Sequence, residues 1–570
     1  MARIPLHGIS RPAAVVLGRL AFIAAAACSG SETPAPGAGA GGSAEPGAAG
    51  AVQMAGGKTS IAGAAYAAGT LNSAGASIAG AGAPAGNGAG GGGGTLGTAG
   101  SNALGGTLAA GNAAGGARAP SAGNGGGNAA GSDGSGGTPA SLPKGVSALF
   151  PAPGARGVCP DPPLRLSFAG VPSVGTTGVL RVYDTSAPDR AVATVDFSQM
   201  TGTDTIGGQT FNVGRRVHVD GNDVVVYLPS HALTYGKTYS VSLDAGAIRG
   251  PGNAAFSITD RNDWTFQTAA AAPANASLLR VALDGTGHFC SPQGALDLVP
   301  ENNTSRLTIE IGAGTYRGIV LFSNKRNVTL RGADRKRVVL AGVNNNSLNA
   351  GTRARALVGA DNANGLVLEN LTIHNQTPQG GSQAEALRLQ SCDQCVVRDA
   401  DLLSLQDTLL WSGRIYAQNC YVEGNVDFVW GEGIAYFEDC EIKTVGRSGP
   451  IVQARNAAGA NGYVFVDSRI TSDSGLSGGV LARIDAGVYP GSAVAFVDCV
   501  LGSHIERGGW TITGGGAPAT LRFWEYRSRD AGGALIDTSG RVAGSRQIDA
   551  QQAAALRDKA AVFGGWTPPP

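Results

Sequence analysis

The chain has 570 residues, more than one ordinary domain requires; 91 of them are glycine and only 15% are charged. The formal net charge is +1, so the overall electrostatics do not indicate a nucleic acid or an anionic membrane surface as a partner. Partners must therefore be inferred from individual sites.

Residues 1–28 have the pattern of an export signal, in which arginines precede a short apolar run. The run Leu20–Ala27 is too short to span a bilayer. The small residues before Cys28 resemble a bacterial lipoprotein signal, in which Cys28 would be lipidated and would begin the mature chain. Ordinary secretion with cleavage near Ala27 is the alternative. Both interpretations predict an exported protein, as an outer-membrane lipoprotein or as a secreted or cell-surface protein.

Residues 29–142 consist of Gly, Ala, Ser, Asn and Thr with almost no large apolar side chains. Such a segment cannot bury enough surface to offset the entropy of an ordered chain. We expect a disordered linker, and a Gly-rich coil of roughly 110 residues has a root-mean-square span of about 55 to 65 Å.

Residues 143–270 contain short apolar runs separated by Gly, Pro and Asp turns, and about seven strands in this length predict a β-sandwich. The opening Pro151–Ala155 and the closing Trp264–Thr268 resemble bacterial immunoglobulin-like modules. No polar cluster indicates chemistry, so we expect a spacer or an adhesion module. The predicted strands include Leu164–Phe168, Val179–Tyr183, Val224–Leu228 and Thr238–Leu243.

From residue 275 to the end, short strands recur every 20 to 28 residues without crossover helices between them, which predicts a parallel β-helix. The segments 292–299 and 550–561 are expected to cap its two ends. The predicted strands include Leu307–Ile311, Val328–Leu330, Val338–Leu340, Gly365–Ile373, Cys395–Val397, Ala435–Ile442, Tyr463–Asp467 and Ala493–Asp498.

Two aspartates, Asp407 and Asp427, are 20 residues apart, about one coil of such a solenoid. Adjacent parallel strands lie roughly 4.8 Å apart, so each carboxyl would feel the charge of the other and one would hold its proton near neutral pH. An ionised and a protonated carboxyl form a nucleophile and a general acid. Two unrelated turn aspartates are the alternative that spacing alone leaves open.

Residues 278–567 carry a series of ordered motifs that resemble the pectin methylesterases, carbohydrate esterases built on a right-handed parallel β-helix. Many ordered matches are more specific than any one of them. The motifs are Val281–Gly287, Gly314–Tyr316, Gln383–Leu389, Gln406–Leu409, Gly424–Gly431, Gln453–Arg455, Gly509–Trp510 and Glu525–Tyr526.

The resemblance implies a role for each catalytic residue. Asp427 would attack the methyl ester carbonyl, and Asp407 would protonate the departing methanol and then act as base for water. Gln383 and Gln406 would donate hydrogen bonds to the oxyanion. Arg483 stands where the family has the arginine that pairs with the nucleophile.

The segment around Arg483 departs from the family pattern Leu-Gly-Arg-Pro-Trp. Ala482 replaces the glycine, and Ile484 and Asp485 replace the proline and the groove tryptophan. The subsite preference therefore does not follow from the resemblance. Trp411, Trp430 and Arg455 are the candidate substrate-binding residues, although a tryptophan beside a strand also packs in cores.

Eight cysteines in an exported chain allow disulfides. Cys420 and Cys440 are 20 residues apart, so adjacent coils would bring them together; some family members have such a pair. Cys392 and Cys395 form a lone CxxC, which favours a local disulfide or free thiols over a metal site. The pairing of Cys159, Cys290 and Cys499 cannot be assigned.

The sequence thus predicts an all-β exported carboxylic ester hydrolase that acts on methylated galacturonan without cofactor or metal. We expect a monomer, with membrane contact through the lipid on Cys28 and no nucleic acid partner. A β-helix esterase or thioesterase acting on a non-pectin ester is the first alternative. A binding β-helix with a vestigial dyad is the second. A polysaccharide lyase or a polygalacturonase is less favoured, because the sequence lacks the acidic and basic clusters that those enzymes would need.

Overall fold

The structure of the chain, a computed structural model, describes residues 142–274 and 277–569. The predicted export signal with Cys28 and nearly all of the predicted linker lie outside the described residues. Of the helices within the described ranges, none is long and apolar enough to cross a membrane.

The N-terminal module, residues 142–274, is built from thirteen short strands and two 3-10 helices, Pro251–Asn253 and Arg261–Asp263. Its strands are β1 (Ala148–Phe150), β2 (Ala155–Val158), β3 (Leu164–Ser167), β4 (Ser173–Val174), β5 (Val179–Asp184), β6 (Ala191–Asp196), β7 (Thr201–Ile206), β8 (Gln209–Gly214), β9 (Val217–Asp220), β10 (Asp223–Val226), β11 (Thr238–Gly250), β12 (Ala254–Ile258) and β13 (Thr265–Thr268).

Two sheets of this module share one hydrophobic core, which is the arrangement of a β-sandwich. One sheet has the order β1-β3-β10-β9, and the other has β2-β13-β11-β5-β6 with β4 and β12 attached to β11. Alternating strand residues such as Leu164, Leu166, Val224 and Val226 are fully buried in that core. The four strands named from the sequence are confirmed, and the additional strands have two to six residues each. The immunoglobulin-like character of the module stays a prediction.

Residues 277–569 form a parallel β-helix, as predicted. Its helices are α1 (Pro292–Leu298), α2 (Ala550–Arg557) and α3 (Lys559–Val562). Its strands are β14 (Leu278–Val281), β15 (Leu307–Ile311), β16 (Gly314–Arg317), β17 (Val320–Ser323), β18 (Val328–Gly332), β19 (Val338–Gly342), β20 (Val358–Asp361), β21 (Val367–Glu369), β22 (Thr372–Asn375), β23 (Leu387–Arg398), β24 (Asp401–Leu403), β25 (Leu409–Gln418), β26 (Tyr421–Gly424), β27 (Val429–Gly431), β28 (Ile434–Glu438), β29 (Glu441–Thr444), β30 (Pro450–Ala454), β31 (Tyr463–Val466), β32 (Arg469–Ser472), β33 (Val480–Asp485), β34 (Ala493–Val497), β35 (Val500–Leu501), β36 (Trp510–Thr513), β37 (Arg522–Tyr526) and β38 (Ser545–Gln547).

Successive coils pair in parallel and in register, so equivalent side chains stack through the interior. One sheet has the order β16-β19-β22-β24-β26-β29-β32-β35, and the remaining strands join into a 17-stranded sheet through the long strands β23 and β25. Phe437, Phe465 and Phe496 are consecutive in one such stack, with ring centroids 4.5 and 4.7 Å apart. The stacking follows because parallel strands lie roughly 4.8 Å apart.

The turn that leads into the eight-stranded sheet bends at one residue with positive φ in coil after coil. Asn370, Asp399, Asn419, Asp439 and Asp467 occupy this position. Asn and Asp tolerate the left-handed conformation better than other residues with a side chain. The Asn and Asp turns that punctuate the sequence are therefore the bends of the coils.

Helix α1 closes the first coils, as predicted, because its Ala295 and Leu296 are buried in the interior cluster. The prediction that 550–561 caps the far end is wrong. Ala553, Leu556 and Val562 pack on outward-facing residues of several coils, so α2 and α3 cover the side of the β-helix. The outer face is apolar there, and the helices remove it from water.

The two modules are joined covalently by a disulfide between Cys159 and Cys290. The Asp161 carboxylate accepts hydrogen bonds from the backbone N–H of Cys290 (2.9 Å) and of Ser291 (2.8 Å). Cys290 belongs to the core of the N-terminal module. Contacts therefore cross the predicted boundary at residue 275, which itself stays a prediction.

Candidate active site

Asp407 and Asp427 lie on adjacent coils, as their spacing predicts. The residues just before them, Gln406 and Val426, form a parallel bridge. Each aspartate occupies the turn between the eight-stranded sheet and the next strand of the 17-stranded sheet. Both adopt positive φ, +64° and +46°, and both are nearly buried. The left-handed turn favours Asp at these positions and directs the chain into the next coil.

The Asp427 carboxylate forms a two-point ion pair with Arg483, whose Nε donates to Oδ1 at 2.8 Å and whose Nη2 donates to Oδ2. Arg483 extends from β33, two coils further along the β-helix. This fork geometry fixes the carboxylate and compensates its negative charge.

The environment of Asp407 is different. Its Oδ2 accepts a hydrogen bond from Nη2 of Arg355 at 2.8 Å, but that guanidinium also donates three hydrogen bonds of 2.7 to 3.0 Å to Glu385. Glu385 is fully buried. Burial, together with the negative charges of Glu385 and Asp427, raises the pKa of Asp407 to about 7 despite Arg355. Burial also raises the pKa of Glu385.

Gln383 and Gln406 are half-buried, and Gln406 directly precedes Asp407 in the chain. The backbone joins their segments, because the N–H of Ala384 donates to the carbonyl of Gln406 at 3.1 Å. Within residues 142–274 and 277–569, neither amide group donates a hydrogen bond to a protein acceptor. Both are therefore available to a ligand.

Trp430 is nearly buried and packs against two guanidinium groups next to Asp407. The Cζ of Arg455 is 4.6 Å from its ring centroid and that of Arg355 is 5.8 Å away. Arg455 also lies 5.5 Å from the ring of Tyr489. The sequence-predicted residues Trp430 and Arg455 are thus grouped near the dyad, and Tyr489 adds a second aromatic ring that the sequence did not indicate.

Trp411 is not a substrate-binding residue. It is fully buried and stacks on Phe437 with ring centroids 5.1 Å apart. Trp411 faces inward because alternate strand residues point to opposite sides. Its large apolar surface fills the interior of the β-helix.

The residues after Arg483 that differ from the family pattern, Ile484 and Asp485, point to opposite faces of their strand. Ile484 is buried in the core, whereas Asp485 is exposed and accepts hydrogen bonds from the N–H groups of Gly487 (3.0 Å) and Val488 (3.3 Å). Asp485 therefore stabilises a turn. That turn leads to Tyr489, the ring that lies near Arg455.

The predicted disulfide between Cys420 and Cys440 is not formed; both are free thiols that face backbone carbonyls. The N–H of Cys420 donates to the Cys440 sulfur at 3.4 Å, so adjacent coils do bring the two residues together, but without a bond between their sulfurs. Cys392 and Cys395 are also free and buried. A cluster that resembles a metal site, Cys159 with Asp161 and Cys290, contains the disulfide, so its sulfurs are not available as thiolate ligands.

Arg355 and Glu385 are the site residues that sequence reasoning missed. Glu385 had one available signal, since it is an acid between two alanines at the entrance to an apolar strand. Arg355 had none, because it comes from the loop between β19 and β20, 52 residues before Asp407.

The fold and the site together define a class. A parallel β-helix that presents one arginine-paired carboxylate, one carboxyl with a pKa near neutrality and free amide donors is the framework of a carboxylic ester hydrolase.

Comparison with known proteins agrees with this class. The family model described as Pectinesterase matches residues 279–562. The chain is 31% identical over 288 residues to Pectinesterase 31 of Arabidopsis thaliana, covering 48% of this chain and 89% of that protein. Probable pectinesterase 56 of the same plant is 31% identical, with coverages of 41% and 84%. A solved structure, pectin methylesterase from carrot, is 27% identical with a TM-score of 0.46, covering 52% of this chain and 96% of that one. The chain belongs to the pectinesterase family.

Proposed function

We propose that the chain hydrolyses methyl esters of homogalacturonan, the backbone of pectin, to free carboxylates and methanol. The observation that carries this proposal is the asymmetry of the dyad. Arg483 forms a two-point ion pair with Asp427 alone, while burial raises the pKa of Asp407 to about 7. One carboxyl is thereby suited to attack and the other to give up a proton.

In the first half of the reaction, a carboxylate oxygen of Asp427 bonds to the ester carbonyl carbon, and the carbonyl oxygen becomes an oxyanion. Gln383 and Gln406 donate hydrogen bonds to that oxyanion. The carbon–oxygen bond to the methoxy group then breaks as Asp407 transfers its proton to the leaving oxygen. Methanol departs, and an anhydride joins Asp427 to the sugar carboxyl.

In the second half, Asp407 is a carboxylate and removes a proton from water. The resulting hydroxide attacks the acyl carbon, the bond to Asp427 breaks, and the sugar leaves as a carboxylic acid, which loses its proton to solvent. Asp407 ends the cycle protonated, so the dyad is restored. Arg483 holds Asp427 in place in both halves.

Trp430, Arg455 and Tyr489 supply the binding surface in this proposal. Tyr489 is partly exposed and offers a face on which a sugar ring can stack, and the Arg455 guanidinium beside it suits a neighbouring uronate, whereas the buried Trp430 packs against Arg455 and positions it. They would compensate for the absent groove tryptophan at Asp485.

The test is methanol release from highly methylated pectin by the full chain, beside Asp427→Asn and Asp407→Asn variants. Asp439→Asn is the matched control, because Asp439 has the same left-handed conformation in an exposed turn away from the site. We expect release by the parent and the control and at least a thousandfold loss in both dyad variants. Folded protein that releases no methanol, yet hydrolyses small acyl esters, would replace pectin with another ester.

We also propose that the protein is exported and anchored through a lipid on Cys28, with residues 29–142 and the N-terminal module holding the β-helix away from the membrane. The support is the sequence pattern of small residues before Cys28. Labelling of cells with an alkyne fatty acid tests it; label in the parent and none in a Cys28→Ser variant is expected, and equal label in both would contradict the anchor.

A further inference from the structure

A cavity of about 360 Å³ lies where the N-terminal module meets the β-helix. Ile206 and Val213, from the hairpin of β7 and β8, line one wall, and Ile319 and Leu357 of the β-helix line the other. The disulfide of Cys159 and the residues after it hold the two walls together. The cavity is therefore a built feature of the junction, of a size that accommodates a small ligand.

Two guanidinium groups of this cavity have no acidic partner. Among the described residues, neither Arg215 nor Arg317 has a carboxylate oxygen within 4.0 Å. Within the described ranges, Arg317 donates only to Gln376, at 3.5 Å. Arg215 donates to two backbone carbonyls, while its buried Nε makes no hydrogen bond within the described part of the chain. Unpaired positive charge facing a cavity attracts an anionic ligand.

The acids that line the same cavity are already satisfied. Asp161 accepts hydrogen bonds from Cys290 and Ser291. Asp204 accepts from Arg216 at 2.9 Å and from the N–H of Ser230. Asp161 has no cationic partner among the described residues, so the two unpaired guanidinium groups outnumber one unpaired carboxyl and the balance is positive.

Two aromatic side chains with polar atoms, His218 and Tyr227, line the cavity beside these cations. His218 packs edge-on against Tyr227, with ring centroids 5.8 Å apart, and Arg317 and Arg215 both lower the pKa of His218, whose largest shift comes from burial. A neutral imidazole at this position can donate or accept a hydrogen bond from a hydroxyl group. Apolar walls, cations and hydroxyl-binding groups together suit an acidic sugar better than a bare inorganic anion.

The cavity lies on the same side of the β-helix as the dyad. Arg317 is in register with Ala341, Ala341 with His374, and His374 with Leu403, which comes shortly before Asp407. Three strand spacings of roughly 4.8 Å separate the two coils, about 14 Å. Gln376 lines the cavity, and the next residues of the chain line a small pocket that contains Gln406.

We propose that this junction cavity binds unesterified uronic acid units of the polysaccharide whose esters are cleaved at the dyad, with the sugar carboxylate on Arg317 and Arg215. The identity of the sugar rests on the proposed function. Because the reaction itself produces carboxylates, the site holds the de-esterified part of a chain while the next ester reaches Asp427. The N-terminal module thus takes part in substrate binding in addition to spacing.

The experiment is isothermal titration calorimetry of the full chain carrying Asp427→Asn, with unesterified trigalacturonate as the probe. We expect binding that an added Arg317→Gln weakens at least tenfold, and no such loss from Arg337→Gln, which removes an exposed charge on the next coil of the same sheet. His218→Ala is the second variant and is expected to weaken binding as well. Unfolding midpoints establish that each variant is folded.

Three results would overturn the site: trigalacturonate affinity that is the same with and without Arg317 and His218, equally tight binding of the neutral trimethyl ester, or displacement of the sugar by equimolar inorganic phosphate. Failure of this inference is distinct from failure of the proposed function. If the parent releases methanol but sugar binding does not depend on Arg317, only the cavity site is contradicted. If binding depends on Arg317 but no methanol is released, only the proposed function is contradicted.

Discussion

Replacing Glu385 by glutamine tests whether the buried Arg355–Glu385 pair sets the proton affinity of Asp407. The substitution removes one negative charge and keeps the shape and a hydrogen-bonding oxygen. Glu385 raises the pKa of Asp407, and Arg355 lowers it. The variant loses the first effect and frees Arg355 to pair with Asp407, so both changes lower the pKa of Asp407.

The magnitude follows from the geometry. An oxygen of Glu385 and an oxygen of Asp407 bond to the same nitrogen of Arg355 at 2.7 and 2.8 Å, so they are at most about 5.5 Å apart, the two lengths laid end to end. At an effective dielectric constant of about 20, unit charges at that distance interact by about 3 kcal/mol, or about two pKa units. Because Arg355 already screens the charge of Glu385 in the parent, we expect the pKa of Asp407 to fall by about one to two units.

The assay is the pH dependence of kcat/KM for methanol release. Asp407 must be protonated to release methanol, so with a pKa of about 7 half of the enzyme is competent at pH 7. A fall of one to two units leaves roughly 1 to 10% protonated, so we expect a loss of roughly five- to fiftyfold at pH 7 that is recovered near pH 5. Glu369→Gln is the matched control, because Glu369 is a buried acid between Arg331 and Arg398 away from the dyad. An alkaline limb that stays in place or moves upward would refute the reasoning.

Other changes separate function from packing. Folding raises the pKa of Asp407 from its ordinary value to about 7, so its contribution to stability is full below pH 4 and is lost as the pH rises through 7. Asp407→Asn should therefore raise the free energy of unfolding at pH 8 by about 1 to 4 kcal/mol relative to its effect at pH 4, as measured by urea unfolding. A difference that does not depend on pH would contradict this. Trp411→Ala should cost about 3 to 5 kcal/mol of stability through a core cavity, whereas Tyr489→Ala, at a partly exposed ring beside Arg455, should mainly raise KM; equal effects on stability would argue against the assigned positions. Cys290→Ser removes the link to Cys159, which closes a loop with a separation of 131 residues, and should lower the free energy of unfolding by about 2 to 5 kcal/mol; an unchanged urea midpoint would show that the modules hold together without the disulfide.

The sequence by itself determined the repeating elements and the order of the motifs. Short strands, Asn and Asp turns and the 20-residue interval between Asp407 and Asp427 depend on neighbouring residues, and in-register stacking converts that interval into adjacent coils. Strands such as Leu307–Ile311 are therefore found where they were predicted.

Only the tertiary structure decided which side chains meet across long separations. Arg355 reaches Asp407 from a loop 52 residues away, and Cys159 meets Cys290 across 131 residues, contacts that leave no periodic signal in the chain. Strand direction likewise decided that Trp411 faces the core and Trp430 the site. A shift of one residue exchanges the two faces of a strand, and local pattern does not resolve that where nearly every strand residue is apolar.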